Sequence, residues 1–343
     1  MLRRYLVCVC LALFFTSCVK DKPQVLPEPE VKNTAAPKVF VVNEGNYGAG
    51  NASLSWFRSS DQSVTEDYYR YQNNEALGDV LQSICAFGGK YYLVVNNSGK
   101  VVVCDSSLKK IGQITNLRSP RYLLPINENK AYVSDLYANQ IHVLNLQGRV
   151  KTASIPCVGW TEQMVFQNRE VFVSNVRKNY LYVINADTDV MNDSIAVGWQ
   201  ASGLVHDKNG TLWLLCGGDK SKAEVPALYA INASNHQLLK RFDFSANAQV
   251  GHLCINGGGD TLYYLNSDVY RFAIADQALP SAPIIAANQR NFYGLNIGKS
   301  DHCIYLSDAL DYVQKSNCYV YQANGQLRYT FKAGINANGF YVE

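Results

Sequence analysis

An apolar run of three or four residues that ends in Asn or Asp returns along this chain, and its spacing constrains the fold more than any other feature. It reads Val39-Phe40-Val41-Val42-Asn43, Leu93-Val94-Val95-Asn96, Ala131-Tyr132-Val133-Ser134-Asp135 and Val171-Phe172-Val173-Ser174-Asn175. It continues as Leu212-Trp213-Leu214-Leu215-Cys216, Leu262-Tyr263-Tyr264-Leu265-Asn266 and Ile304-Tyr305-Leu306-Ser307-Asp308. The last positions of these seven runs are separated by 53, 39, 40, 41, 50 and 42 residues. Several short strands repeated at a step of roughly 40–45 residues are the signature of a β-propeller. The expected fold class is therefore all-β, a seven-bladed β-propeller.

Within a repeat the pattern is steady. In the third, Tyr122–Pro125 reads as a first strand, Ala131–Ser134 as a second, Ile141–Asn145 as a third and Val150–Ile155 as an outer strand. The fourth repeats this with Met164–Phe166, Val171–Ser174, Leu181–Asn185 and Ser194–Val197. Turns rich in Asn, Asp and Gly separate the runs. The first copy starts with a strand of the second type and lacks a first strand. The tail Asn336-Ala337-Asn338-Gly339-Phe340-Tyr341-Val342 resembles that missing strand, so it is expected to close the ring and hide two sheet edges. Two steps are long because of insertions, Tyr68–Glu75 and Gly217–Glu224, and both are expected on the binding face.

The N-terminus reads as an address. Arg3 and Arg4 precede the apolar run Tyr5–Phe15, which is too short to span a bilayer and ends at Thr16-Ser17-Cys18. Residues 1–17 are expected to be a lipoprotein signal peptide, with Cys18 acylated; a plain secretory signal is the alternative. Residues 18–37, with Pro23, Pro27, Pro29 and Pro37, read as a tether, and 38–343 as the propeller. Loss of the two arginines takes the formal charge from +3 to +1. So small a charge argues against a nucleic-acid partner, which needs clustered Lys and Arg.

Cys85, Cys104, Cys157, Cys216, Cys254, Cys303 and Cys318 remain beyond the tether, an odd number without a CxxC pair. They read as small buried hydrophobes, with a disulfide framework or metal site as the minor alternative. No HExxH, GxSxG or P-loop motif appears. His142, His206, His236, His252 and His302 are scattered over different repeats, so neither a metal site nor a catalytic group is expected. Gly257-Gly258-Gly259-Asp260 lies where a hairpin turn belongs. What the chain does offer is loop aromatics beside Asn and Arg, which suit a broad polar and aromatic surface for a large flat ligand or a protein.

Two stretches are more specific than a propeller pattern. One is Gly78-Asp79-Val80-Leu81-Gln82-Ser83-Ile84 followed by Tyr92-Leu93-Val94-Val95-Asn96-Asn97-Ser98-Gly99-Lys100-Val101. The other is Val39-Phe40-Val41-Val42-Asn43-Glu44-Gly45-Asn46-Tyr47-Gly48 with Asn51-Ala52-Ser53-Leu54 behind it. Together they resemble the YncE-like, YVTN-type propeller lipoproteins, in particular the BtuG-type cell-surface cobalamin-binding lipoproteins of Gram-negative gut anaerobes. The likeness covers 38–343 in architecture and is sharpest in 39–101.

The resemblance implies a propeller held at the outer membrane by its lipid anchor alone and facing the cell surface; a periplasm-facing orientation is the alternative. It implies that the protein binds cobalamin as cargo, passes it to a TonB-dependent outer-membrane transporter, and has no catalytic activity and no cofactor of its own. In a propeller, loops after the second strand and loops entering the first share one face. That places Tyr47, Tyr71, Asn73, Asn74, Tyr137, Arg177 and Tyr312 there, joined by Arg121, Tyr122, Trp160, Trp199, Arg290 and Tyr293 from the inter-blade connections. Amides on the corrin rim can hydrogen-bond Asn, Arg and Tyr, and its apolar edges can lie on Tyr and Trp. Rival classes are a surface adhesin or glycan binder and, further off, a propeller lyase or lactonase.

Overall fold

The computed structural model describes residues 38–343. The expected signal peptide, Cys18 and the expected tether lie outside the described residues. Seven antiparallel sheets follow one another along the chain, six of four strands and one of three. We number them as blades 1 to 7. Blade 1 takes its innermost strand from the end of the chain: Ala337–Val342 pairs with Lys38–Asn43, which pairs with Ser53–Arg58 and Ser63–Thr65. The expected closure is therefore present, with Phe340 opposite Val41.

The recurring apolar runs are the second strands, and their doubled burial explains their composition. Lys90–Val95, Lys130–Asp135, Glu170–Asn175 and Thr211–Cys216 are each buried from their second residue onward on both faces. Each is covered by the blade before and the blade after, so alternation disappears and Val, Leu and Tyr run on continuously. Seven apolar clusters result, one at each blade-to-blade contact. Phe172, Leu181 and Val183 of blade 4, for example, pack on Leu204, Leu212 and Leu214 of blade 5.

The terminal Asn or Asp of these strands is a clip. Asn175 donates Nδ2 to the Val158 carbonyl at 3.0 Å, Asp135 accepts the Ser119 amide at 2.8 Å, and Asp308 accepts the Asn291 amide at 2.9 Å. Each bond pins the connection entering a blade to the second strand of that same blade. Asp135 is further held by the buried His142 ring at 2.9 Å. Cys104, Cys157, Cys216, Cys303 and Cys318 are buried, Cys85 and Cys254 partly so, and all seven are free thiols.

Two expectations need correction. The insertion at 68–75 does not reach the face carrying the clips. The outer strand of blade 1, Ser63–Thr65, stops opposite Trp56, halfway up the sheet. The chain then turns into the short helix Tyr68–Asn73, which buries Tyr69 and sets Tyr68 against Trp56, ring centroids 4.8 Å apart. Asn73 donates to the Leu108 carbonyl and accepts from the Lys110 amide, at the turn on the opposite face. Blade 6 lacks a fourth strand. After Asp268–Ala273 the chain carries Pro280 and Pro283, which cannot donate to a ladder, and only a single bridge from Ile285 to Val269 covers the edge. The Gly257–Asp260 segment is the hairpin turn expected of it.

Candidate functional site

Every blade carries a register shift at the same place, the start of its innermost strand. The shifts fall at Gln82, at Arg121 and Tyr122, at Glu162 and Gln163, at Ser202, at His252 and Leu253, at Tyr293 and Gly294, and at Asn338. An extra residue in one strand of a pair bends the strand and re-aims a side chain. Here the bulges bring Asn338, Gln82, Arg121, Glu162, Ser202, His252 and Tyr293 to the wall of one cavity of about 520 Å³ at the mouth of the central channel. His252 takes a left-handed backbone at φ +51° to do so. We call this cavity the cup. Beyond it the channel continues into about 550 Å³ whose lining includes Leu123, Met164, Leu204, Ile255 and Ile297 together with Gln163, His206, Asn296 and Lys299.

The cup's polar groups are wired together. Glu162, almost wholly buried, accepts from Arg121 Nε at 2.9 Å and Nη2 at 2.8 Å, and from the Trp160 indole N–H, all at Oε1. Arg121 Nη1 donates to Gln82 Oε1. Across the mouth, Tyr293 donates its hydroxyl to Glu44 Oε2 at 2.6 Å and Asn338 donates to Glu44 Oε1 at 2.7 Å. Burial, then the Glu162 charge, pushes the Tyr122 phenol up to about 12. Burial first, then Glu44, likewise raises Tyr293. Enclosure by the surrounding blades pulls the His252 imidazole below its usual value, although the residue is exposed at the channel wall.

Of the residues singled out from sequence, Arg121, Tyr122, Trp160 and Tyr293 line the cup. Tyr312 stands edge-on to Tyr293, centroids 5.5 Å apart, and Arg177 lies 6.0 Å from the Trp160 ring centre. Gly159 lets Trp160 sit there: at φ +121° it is in a conformation L side chains rarely adopt, and a Cβ would lie 2.5 Å from Asn175 Oδ1. Tyr47 and Tyr137 are exposed on loops of the same face, and Trp199 is half-buried there under Lys222, 4.0 Å away. Tyr71, Asn73 and Asn74 sit with their helix at the outer rim, away from the cup. Arg290 is spent on its own connection, donating to the Ala286 and Ala287 carbonyls and to the Tyr321 hydroxyl.

Sequence reasoning passed over Glu44, Gln82, Glu162, Ser202, His252 and Asn338. A signal for most of them exists. The seven bulge positions from Gln82 through Asn338 are 39, 41, 40, 50, 41 and 45 residues apart, nearly the step of the repeat. A polar residue recurring at the second or third position of each inner strand marks the ring.

Comparison with solved structures finds the same fold in distant proteins. A quinonprotein alcohol dehydrogenase-like protein from Bacteroides thetaiotaomicron superposes with a TM-score of 0.70 at 15% identity, over 88% of this chain and 76% of that one. The periplasmic gluconolactonase PpgL of Pseudomonas aeruginosa gives 0.68 at 13% identity, over 90% and 99%. A protein from Lactobacillus plantarum gives 0.68 at 11%, also over 90% and 99%. No curated protein matches the sequence. A family model matches residues 38–334, essentially the whole propeller, and the chain belongs to that family, described as Domain of unknown function (DUF5074).

Proposed function

We propose that this propeller is a lipid-anchored outer-membrane binding protein that captures cobalamin at the cup face and hands it to a TonB-dependent transporter without catalysing a reaction. The observation that carries this reading is the ring of bulged polar residues, surrounded by aromatic rings on the same face. A corrinoid is broader than the cup, so the macrocycle lies across the mouth with amide arms reaching Gln82, Arg121, Glu44 and Asn338. Tyr137, Trp160, Tyr312 and Tyr47 offer flat apolar area around it. The wiring of the cup fixes these side chains before a ligand arrives, which lowers the entropy cost of binding. Lys38–Asn43 runs toward the cup, so Lys38 lies on the face away from the mouth.

Gel filtration of the protein with cyanocobalamin tests the reading. Co-eluting colour supports capture, and replacing Trp160, Trp199 and Tyr293 together by alanine is expected to weaken it by about 2–4 kcal/mol. Free cobalamin eluting alone at micromolar protein sinks it. One observation favours a second reading, a hydrolase: His252 is held toward its neutral form beside Tyr293, ring centroids 6.2 Å apart, as a general base would need. Lactone hydrolysis that disappears in His252→Gln, together with no cobalamin binding, would put that reading in its place.

A further inference from the structure

The cup's two carboxylates are unequally served by the protein. Glu162 has a side chain only 6% exposed, yet every donor it receives goes to Oε1. No donor among the described residues reaches Oε2, although this oxygen is not sealed off from solvent. Glu44 takes one neutral donor at each oxygen, Tyr293 and Asn338, and forms no ion pair among the described residues. A carboxylate can accept about four hydrogen bonds. Both therefore keep acceptor capacity toward the cavity they line.

The charge count points the same way. Arg121 is the cation wired into the ring, and Glu162 and Gln82 take three of its five N–H donors, at Nε, Nη1 and Nη2. Two carboxylates against one guanidinium leave the cup one charge negative. His252 does not redress the balance, because the enclosure disfavours its charged form. Arg118 and Arg177 stand exposed on the loops outside, where water and salt screen them. The cup is thus an acceptor-rich, anion-repelling hole in a chain whose overall formal charge is positive.

We propose that the cup reads N–H donors: Glu44 and Glu162 accept hydrogen bonds from amide or ammonium groups of the ligand and turn away the corresponding carboxylate. This rests on the capture reading for the identity of the ligand, but not for the chemistry of the hole. A site whose buried acceptors must be met rejects an analogue that cannot donate, and like charges brought together at short range add to the rejection. Glu44 is then the residue that sets specificity at the mouth, while Arg121 and Trp160 hold Glu162 in place.

Two comparisons test it. In the first, the protein is titrated with ethylammonium, propionamide and propionate at matched ionic strength, and the indole N–H resonance of Trp160 is followed, assigned by its loss in Trp160→Phe. The resonance is expected to move with the first two and to stay with propionate. In the second, cyanocobalamin is compared with cyanocobalamin bearing one amide arm hydrolysed to the acid. The acid is expected to bind at least about tenfold more weakly at neutral pH, with the gap narrowed in Glu44→Gln. A propionate response equal to that of ethylammonium, or equal affinities for the two corrinoids, overturns the inference. If neither corrinoid binds, the capture reading falls, and the small-molecule comparison still decides what the cup accepts.

Discussion

Arg121 and Glu162 show how a single pair can serve both fold and site. They belong to bulges of neighbouring blades, and their side chains are 16% and 6% exposed. Truncating one partner of a buried pair leaves the other charge without compensation, which costs more than the pair contributes. Arg121→Met is therefore expected to destabilise the propeller by about 3 kcal/mol. Glu162→Gln, which removes the charge that Arg121 neutralises but keeps an acceptor, is expected to cost less. Urea unfolding of the two variants checks this ordering; equal stabilities would mean that water in the cup solvates Glu162 well enough to replace its partner. The pair was half legible. Arg121 stands out as a loop cation, but Glu162 is hidden because nothing in Thr161-Glu162-Gln163 says which of three polar residues the strand will bulge out.

At the scale of strands and turns, the reading from sequence succeeded where burial is doubled and failed where the backbone departs from a regular ladder. The second strands could be placed because two packed faces demand an unbroken apolar run. The alternation places the starts of the inner strands of blades 3 and 4 at Tyr122 and Met164, whereas they begin at Pro120 and Thr161. Both errors stop at the bulge, because a polar residue displaced from the ladder breaks the alternation used to find a strand.

Turns on the opposite face also tie blades together. His236, in the turn before the outer strand of blade 5, bridges Asp193 at 2.7 Å and Glu170 at 2.9 Å in blade 4, with its ring edge-on to Phe172. Burial pulls the imidazole down, but the two carboxylates outweigh it and hold the group above its ordinary value. A raised histidine contributes stability that is complete below its unfolded value of about 6.5 and is lost as pH rises through the higher folded value. The Tm difference between the wild type and His236→Gln should thus be largest in mildly acidic buffer and shrink in alkaline buffer. A difference independent of pH from 5 to 9, roughly the range bracketing that transition, would show that the ring holds the turn as a neutral group.

For the whole molecule the decisive feature is that the ring has no end. All seven apolar clusters are interfaces between neighbouring blades, and the one joining blade 7 to blade 1 depends on the last strand. Phe340 packs there with Val39, Val41, Phe57 and Tyr305, and the Asn43 side chain accepts the Gly334 amide to hold the same seam. This strand also supplies Asn338 to the cup, so closure and site are built by one segment. Opening the seam would expose the edge of Lys38–Asn43 and strip one face from blades 7 and 1 together. Phe340→Ala is expected to cost about 3–4 kcal/mol through the cavity it leaves, and to lower Tm by roughly 10 °C. Deleting 337–343 should cost more, since it removes a whole ladder as well as that side chain, and should turn a single unfolding transition into a broader one as blades near the seam open before the rest. Differential scanning calorimetry of both variants distinguishes the cases. A deletion variant that melts as sharply and as high as the wild type would mean that the remaining contacts hold the ring without its last strand, and that the C-terminal strand serves the cup alone.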